Sequence, residues 1–396
     1  MSLPPSITQL PARQPELIEL LTRWCNQNSG SDNQAGLDAM IGLLETVFRR
    51  LPGAVVQRVD LTGTTAQLLR VTMRPEARIR LLLSGHYDTV YSATDPFQQC
   101  ETLSPDQLRG PGTADMKGGL ITILAALEAF EQTPHSKQLG YEVLINPDEE
   151  IGSFGAGPVF TATAPTCDFG LIFEPARPNG DLVQSRKGTG NFTAISRGRS
   201  GHAASPTRSG RNAIAALAEF LVAAHRLPDE LPGVMLNIGN IHGGGPATNV
   251  VPDLAHAQLD IRVTRLAQRE PVLARLQELA APINAREGHR LEITGSFNRP
   301  PMECSPAAEA VFAAWQDAGR ALSLPAFSWV HTGGASDGNN LYAAGLPCLD
   351  GLGPIGDRLH SSDEWVKPST IIARAQLAAL VMHRIAGGEL KLPAKA

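Results

Sequence analysis

Hydrophobic residues recur along the first half of the chain with two different spacings. Residues 14–28, 36–50 and 117–130 carry apolar side chains every three or four positions, which predicts amphipathic or buried helices. Strands are predicted where short runs are rich in Val, Leu and Ile, at 54–60, 67–73, 79–85, 141–145 and 169–173. A further helix is predicted to start at Gly152. The alternation of strands and helices predicts a mainly parallel α/β sheet with helices on both faces.

The pattern changes after about residue 185. The predicted strands there include runs that alternate between apolar and polar residues, as half-exposed strands do, and the elements follow the order βαββαβ. The predicted elements are strands 190–197, 234–241, 255–264 and 290–296 and helices 212–224 and 269–280. This order is typical of a ferredoxin-like α+β sandwich. A helix at 306–321, a glycine-rich loop at 333–340, a strand at 346–349 and a helix at 371–385 follow. We therefore predict a large domain of residues 1–186 and 301–396, interrupted by a small domain of residues 187–300.

Polar clusters stand at or just after the ends of several predicted strands of the large domain. They contain one histidine, His86, and the carboxylates Asp115, Glu149, Glu150 and Glu174. The carboxyl ends of parallel strands meet at one edge of a sheet, so these side chains are expected to converge. Crowded carboxylates repel one another unless a cation holds them, which predicts a metal site. Asp148 is interpreted as a solvated loop charge.

Composition narrows the class of protein. Hydrophobic residues make up 42% and charged residues 18% of 396 residues, as in an ordinary globular protein. The net charge of -5 gives no basic surface for nucleic acid, and no apolar run approaches the length of a membrane span. The N-terminus lacks a basic segment followed by an apolar run, and five cysteines without a CxxC pair suggest reduced thiols. We expect a cytoplasmic protein with no nucleic-acid or membrane partner.

Six motifs occur in one order along the chain: GHYDTV (85–90), GPGTADMKGG (110–119), DEEIGS (148–153), FEP (173–175), GHAASP (201–206) and HSSDE (360–364). Together they resemble the M20 metallopeptidase family, which includes glutamate carboxypeptidase, acetylornithine deacetylase and succinyl-diaminopimelate desuccinylase. The resemblance implies two zinc ions per chain, with cobalt or manganese as alternatives. His86, Asp115 and Glu174 would hold one ion, and Asp115, Glu150 and His360 the other. Such a pair generates a nucleophile from water and polarises the scissile carbonyl.

The resemblance also assigns roles outside the ligand set. Glu149 resembles the general base, and Asp88 resembles the aspartate that orients the imidazole of His86. His202 resembles a histidine that reaches a partner subunit and donates to the oxyanion, so the small domain would form a homodimer. Four substrate-binding residues are expected, Asn249, Arg262, Arg299 and Gly334, with the two arginines as forks for a carboxylate. The family also implies a cis peptide after Asp115.

The predicted fold is thus a mainly parallel-sheet di-zinc peptidase domain with an inserted ferredoxin-like α+β dimerisation domain. The predicted activity is hydrolysis of an amide bond next to a free carboxylate, in a small peptide or N-acyl amino acid, as in glutamate carboxypeptidase. The lysine of that branch is absent after FEP, where residues 176–184 read ARPNGDLVQ. An acetylornithine-type deacylase, an aminoacylase and a dipeptidase therefore stay open. A metal-free binding module is the alternative of a different class.

Overall fold

The computed structural model describes residues 3–207 and 209–392, which form two compact units. The larger unit runs up to Ser185 and resumes over Cys304–Thr332 and from Ser336. The smaller unit runs over Arg186–Glu303 and includes Gly333–Ala335. The chain therefore leaves the larger unit for most of the smaller one, returns at Cys304, and leaves again only for Gly333–Ala335.

The described residues contain helices and strands in both units. The helices are α1 (Pro5–Thr8), α2 (Gln14–Cys25), α3 (Gln34–Phe48), α4 (Gly118–Glu131), α5 (Gly157–Thr163), α6 (Ala213–Ala224), α7 (Leu227–Glu230), α8 (Arg269–Asn284), α9 (Pro306–Ala321), α10 (Asp337–Ala343) and α11 (Pro368–Ala386). The strands are β1 (Val55–Asp60), β2 (Gln67–Met73), β3 (Ile79–His86), β4 (Glu101–Ser104), β5 (Gln107–Arg109), β6 (Leu139–Asn146), β7 (Phe169–Ile172), β8 (Leu182–Arg186), β9 (Gly188–Arg197), β10 (Gly201–His202), β11 (Met235–Gly243), β12 (Val250–Val251), β13 (Leu254–Val263), β14 (Arg290–Arg299), β15 (Trp329–Thr332), β16 (Cys348–Leu349), β17 (Gly356–Asp357) and β18 (Trp365–Val366).

The main sheet of the larger unit has the order β1-β2-β6-β3-β7-β16. Strands β6, β3, β7 and β16 run parallel to one another, whereas β1 and β2 join the sheet antiparallel. The predicted α/β sheet is confirmed as a mixed sheet with a parallel half. Strand β3 lies between β6 and β7 and is buried from Leu81 to His86, so its apolar run fits a central position.

Helices cover the sheet because they present apolar surface to it. Helix α4 is buried along nearly its whole length and packs against α11, which explains why it is apolar on all sides. Helices α3, α6 and α9 begin at side-chain caps, in which Asn33, Asn212 and Ser305 accept the N–H groups of Gly36, Ala215 and Ala308. None of the described helices is both long enough and apolar enough to span a bilayer.

The smaller unit confirms the predicted ferredoxin-like order. Its sheet has the order β11-β13-β9-β14. From one edge to the other, these are the second, third, first and fourth strands of the sheet in chain order. Helices α6 and α8 pack on one face of this sheet, around a core that includes Phe192, Leu217 and Ile261. Strand β11 forms one edge of the sheet, which leaves one side of its backbone available for pairing.

Three local predictions were wrong. The helix expected from Gly152 begins at Gly157, because Gly152 (φ 114°) and Ser153 (φ 53°) adopt left-handed backbone that a helix cannot contain. Strands β4 and β5 form in a stretch for which no strand was predicted. Helix α10 occupies the second half of the predicted glycine-rich loop, where the hydroxyl of Ser336 accepts the N–H of Gly338 and starts the helix.

Candidate metal centre

The main sheet brings the predicted ligand positions of the larger unit to one edge. His86 ends β3, Glu150 follows β6 and Glu174 follows β7, and these three parallel strands are neighbours. Asp115 lies in a short turn before α4, where its own backbone (φ -111°, ψ 92°) is not helical. The peptide between Asp115 and Met116 is cis. His360 lies in the loop before β18 and adopts left-handed backbone (φ 60°).

Asp115 lies between two imidazole rings, and each of its carboxylate oxygens faces one of them. Oδ1 lies 3.1 Å from Nε2 of His86, and Oδ2 lies 3.2 Å from Nε2 of His360. Glu174 Oε1 approaches Nε2 of His86 at 3.8 Å, whereas Glu150 Oε2 approaches Nε2 of His360 at 3.2 Å. The five side chains thus divide into two groups that share one carboxylate.

The donor atoms of this cluster suit divalent cations. His86, Asp115 and Glu150 offer ligand atoms that all lie within 4.8 Å of one another, a grouping that no other set of three such side chains achieves in the described ranges. Imidazole nitrogen and carboxylate oxygen together are ligands that zinc accepts. The side chain of His360 is 55% exposed, so the cluster is open to solvent on one side. The residues therefore fit a catalytic metal centre better than a closed structural one.

Ion pairs and hydrogen bonds between the imidazoles and the carboxylates hold the cluster together. Burial would lower the pKa of His86, but hydrogen bonds with Asp115 and Asp88 outweigh it and raise that pKa well above its ordinary value. Hydrogen bonds with Asp115 and Glu150 raise the pKa of His360 to about 10. Burial would raise the pKa of Asp115, but the two imidazoles lower it, whereas burial and the charge of Asp115 raise the pKa of Glu150. A bound cation must displace the protons on the imidazoles.

Asp88 connects the first imidazole to the segment that carries the neighbouring glutamates. Nδ1 of His86 lies 3.1 Å from the carbonyl oxygen of Asp88 and 3.3 Å from its Oδ1. The same carboxylate accepts the N–H groups of Glu149 and Glu150, both at 3.1 Å, and the hydroxyl of Ser31 at 2.8 Å. One fully buried carboxylate therefore sets the orientation of His86 and the position of the 149–150 backbone.

Glu149 is half-buried and belongs to a tight turn that follows β6. The N–H of Gly152 donates to its carbonyl oxygen at 2.9 Å, and the N–H of Ser153 donates to that of Asp148 at 2.7 Å. The interpretation of Asp148 as a solvated charge was wrong. Its side chain is 4% exposed and accepts the N–H of Gly155 at 2.7 Å, and burial raises its pKa. The buried carboxylate of Asp148 therefore stabilises this turn through its hydrogen bond with Gly155.

The smaller unit brings His202 and Asn249 onto adjacent segments. His202 is exposed on β10, which pairs antiparallel with β12, and the N–H of Ala203 donates to the carbonyl oxygen of Asn249 at 2.9 Å. The N–H of Ala204 donates to Nδ1 of His202 at 3.2 Å. This hydrogen bond holds the imidazole ring against the backbone two residues later. The two residues predicted from separate motifs are therefore close in the structure.

Arg262 and Arg299 occupy one rung of the small sheet. Both pair with Thr189, one on each side of β9. Arg262 donates to the carbonyl oxygen of Gly333 at 2.8 Å and forms an ion pair with Asp260 at 3.1 Å. Its guanidinium therefore already binds protein groups. Gly334 lies next to this contact, and its carbonyl oxygen accepts Nη1 of Arg186 at 3.2 Å.

Glu364 was missed by the sequence reasoning, although it is the last residue of the HSSDE motif. It is 1% exposed, and burial, followed by the charge of Asp115, raises its pKa to about 7. An acid directly before the apolar pair Trp365–Val366 was the observation that could have identified it, because a charge beside a buried strand requires partners.

Comparison with known proteins places the chain among hydrolases. The profile of peptidase family M20/M25/M40 matches residues 82–384. Carboxypeptidase G2 of Pseudomonas sp. (strain RS-16) is 25% identical over 95% of this chain and 91% of that protein. Acetylornithine deacetylase of Pectobacterium atrosepticum is 32% identical over 74% of this chain and 79% of that enzyme. A dinuclear metal-binding peptidase of the M20 family from Bacillus subtilis superposes with a TM-score of 0.71 at 14% identity, covering 95% of this chain and 99% of that one. The chain therefore belongs to peptidase family M20, a family of metallohydrolases.

Proposed function

We propose that the protein is a zinc-dependent hydrolase that cleaves an amide bond next to a free carboxylate, like glutamate carboxypeptidase. It would release a C-terminal amino acid from a small peptide or an N-acyl amino acid. The observation that carries this proposal is the Asp115 carboxylate, which has one oxygen toward each of two imidazoles. The similarity to carboxypeptidase G2 over nearly the whole chain supports the substrate class.

Two zinc ions are proposed to bind at this cluster. His86, Asp115 and Glu174 would hold one, and Asp115, Glu150 and His360 the other. When bound, such a pair supplies Lewis acidity toward the scissile carbonyl and lowers the pKa of water.

The neighbouring acids would orient ligands and move protons. Asp88 holds His86 in one ring orientation. It also fixes the backbone of Glu149 and Glu150 by accepting their N–H groups. The carboxylate of Glu149 is proposed to take the proton from the attacking water and to deliver it to the leaving amine. Its place in a turn held by Asp148 restricts where that carboxylate can reach.

The smaller unit is proposed to bind substrate and to form a homodimer. His202 would donate to the developing oxyanion of a partner's substrate, and Asn249 would lie beside it. Arg262 and Arg299 are the proposed forks for the substrate carboxylate, and Arg262 also binds Asp260 and the carbonyl oxygen of Gly333. Gly334 would present backbone to the substrate. We also propose that the enzyme acts in the cytoplasm.

A deacylase acting on N-acyl amino acids is the second candidate function. The similarity to acetylornithine deacetylase at 32% identity favours it, as does the absence of a lysine after FEP. An aminoacylase or a dipeptidase would use the same centre. Glu149 argues against a metal-free binding module, because binding alone requires no base beside the ligands.

The test is a substrate screen with metal analysis. Purified protein is stripped of metal, reloaded with zinc, and assayed for release of free amine from N-acyl amino acids, acylated glutamates and dipeptides. The proposal predicts two zinc ions per chain and chelator-sensitive hydrolysis. Faster cleavage of acylated ornithine than of acylated glutamate would favour the deacylase. Protein that takes up no zinc and hydrolyses none of these compounds would favour the binding module.

A further inference from the structure

Glu364 lies outside both proposed ligand groups and is not the proposed base, yet its carboxylate has four hydrogen-bond donors. Oε2 accepts the N–H of Gly112 at 3.0 Å and the hydroxyl of Tyr91 at 2.8 Å. Oε1 accepts the N–H groups of Ala114 at 2.8 Å and Asp115 at 3.0 Å. A buried carboxylate with four donors is fully used as an acceptor, since it offers about four lone-pair sites.

Three of these donors, the N–H groups of Gly112, Ala114 and Asp115, belong to the segment that carries Asp115. The backbone at Asp115 and Met116 is not helical, so α4 does not hold the Asp115 N–H in place. Glu364 supplies the acceptor instead. The N–H of Gly110 also donates to the carbonyl oxygen of Glu364 at 3.1 Å, which adds a fourth connection to the same segment.

Glu364 is equally tied to the segment that carries His360. Its N–H donates to the carbonyl oxygen of Ser361 at 3.0 Å, and the hydroxyl of Tyr91 donates to that same oxygen at 2.9 Å. His360 and Arg358 both adopt left-handed backbone, which non-glycine residues take up only when their surroundings hold them there. Asp115 and His360 come from distant parts of the sequence, and Glu364 contacts the backbone of both segments.

We propose that Glu364 is a positioning residue that fixes the Asp115 carboxylate relative to the His360 imidazole and thereby sets the affinity of the cation they share. The inference rests on the proposed function, since it assumes that Asp115, Glu150 and His360 bind a divalent cation. Glu364 would act through backbone amides and touch neither metal nor substrate.

The test compares metal binding by full-length wild-type protein and Glu364→Gln. Glutamine has the same size, but its amide nitrogen cannot accept the backbone N–H groups that one carboxylate oxygen now accepts. Metal-free protein is titrated with Zn²⁺ against a chromophoric chelator, and Co²⁺-loaded protein is examined by visible absorption. We expect Glu364→Gln to bind one of two Zn²⁺ ions about 10- to 100-fold more weakly, as for other residues that orient ligands. Its Co²⁺ spectrum should also change, which reduced stability alone would not produce.

Two further variants make the result decisive. Asp168→Asn alters another carboxylate of the larger unit that accepts a backbone N–H, from Arg80 at 2.7 Å, and should bind both ions like wild type. Tyr91→Phe removes one donor to Glu364 and leaves the backbone contacts, so it should weaken the same ion by a smaller factor. If Glu364→Gln does not fold, Tyr91→Phe decides, and an affinity within about twofold of wild type together with an unchanged Co²⁺ spectrum overturns the proposal.

The proposed function and this inference fail in different ways. Wild-type protein that binds no Zn²⁺ would overturn both. Wild-type protein that binds two Zn²⁺ ions, with a folded Glu364→Gln variant of equal affinity and identical Co²⁺ spectrum, would overturn only the role of Glu364.

Discussion

The carboxylate of Asp115 is the residue-scale feature on which the chemistry depends. A carboxylate has two oxygens on opposite sides of one carbon, and here each side faces an imidazole nitrogen. This arrangement suits a ligand shared by two cations, whereas an aspartate paired with one histidine would suit a single one. The remaining two glutamates divide between the two sides in the same way.

Replacing Glu149 with alanine should separate catalysis from metal binding. The substitution removes the proposed proton carrier and leaves the five proposed ligands, so kcat should fall by about 10²- to 10⁴-fold while zinc content stays at the wild-type value. Steady-state kinetics and metal analysis on the same preparation measure both. Glu76→Ala, at an exposed position of the same unit, serves as the control. A variant with normal kcat would remove Glu149 from the mechanism.

At the residue scale, short motifs predicted the five proposed ligand positions, and three of these, His86, Glu150 and Glu174, end or follow strands of the main sheet. The positions of Asp148 and Glu364 were not, because both depend on contacts made after folding. Asp148 is buried by the turn that it holds, and Glu364 binds backbone amides about 250 residues earlier in the chain. Local sequence does not reveal whether an acid will find such donors.

At the scale of elements, the start of α4 shows how closely helix and sheet approach the metal cluster. A side chain at Gly119 would overlap the carbonyl oxygen of Phe173, the residue before Glu174. Gly119→Ala should therefore lower the free energy of unfolding by about 1–3 kcal/mol, through overpacking. Urea unfolding of metal-free protein measures this. Gly157→Ala is the matched control, since an added methyl group there meets no described atom within 4 Å. Equal stability of the two variants would contradict the packing argument.

The last turn of α11 should make stability sensitive to mild acid. The ring of His383 stacks on His135 with centroids 5.2 Å apart. Burial, then the charges of His135 and Arg384, lower the pKa of His383 against the opposing effect of Glu389. The unfolded chain therefore binds this proton more readily than the native one, so stability falls as pH drops through the ordinary value of 6.5.

His383→Gln should reduce that loss of stability. Free energies of unfolding measured between about pH 7.5 and about pH 5 should fall less steeply for this variant than for wild type. His225→Gln changes an exposed histidine directly after helix α6 and should leave the slope unchanged. A wild-type slope in His383→Gln would show that other groups cause the acid sensitivity.

Elements with a long and regular hydrophobic period were predicted within a few residues. Helix α9 and strand β2 have the predicted bounds. Short elements such as β4, β5, β17 and β18 were missed, because two to four residues carry too little periodicity and their pairing depends on distant partners. The late start of α5 was missed because left-handed backbone at Ser153 leaves no pattern in the sequence.

At the scale of the whole molecule, strand β11 is one surface at which the proposed homodimer could form. It is a sheet edge, and Met235 and Ile241 on it are each 50% exposed. Such an edge invites pairing with another strand. If β11 is the interface of the proposed homodimer, Ile241→Lys should convert the dimer into monomers, which sedimentation velocity measures. Leu266→Lys places the same charge at another exposed residue of the smaller unit and should remain dimeric. Identical sedimentation of wild type and Ile241→Lys would exclude β11 as the interface.

A change in the hydrophobic pattern near residue 185 predicted a second, smaller domain. The pattern after that domain did not predict that a later tripeptide would belong to the smaller unit. Residues Gly333–Ala335 cluster with the smaller unit although they lie well after it in sequence. Arg262 and Arg186 bind the carbonyl oxygens of this tripeptide, and the hydrophobic pattern contains no record of such contacts. The antiparallel pairing of β1 and β2 was not predicted either, since apolar runs do not encode strand direction.

The larger unit is built from separate stretches of chain, and this has a consequence for synthesis. A ribosome adds about 5–20 residues per second and releases them in order. Glu174 emerges before the smaller unit and His360 after it, so a nascent polypeptide has four of the five proposed ligands long before the fifth. Products truncated anywhere in between would lack His360, the second of the two imidazoles that face Asp115.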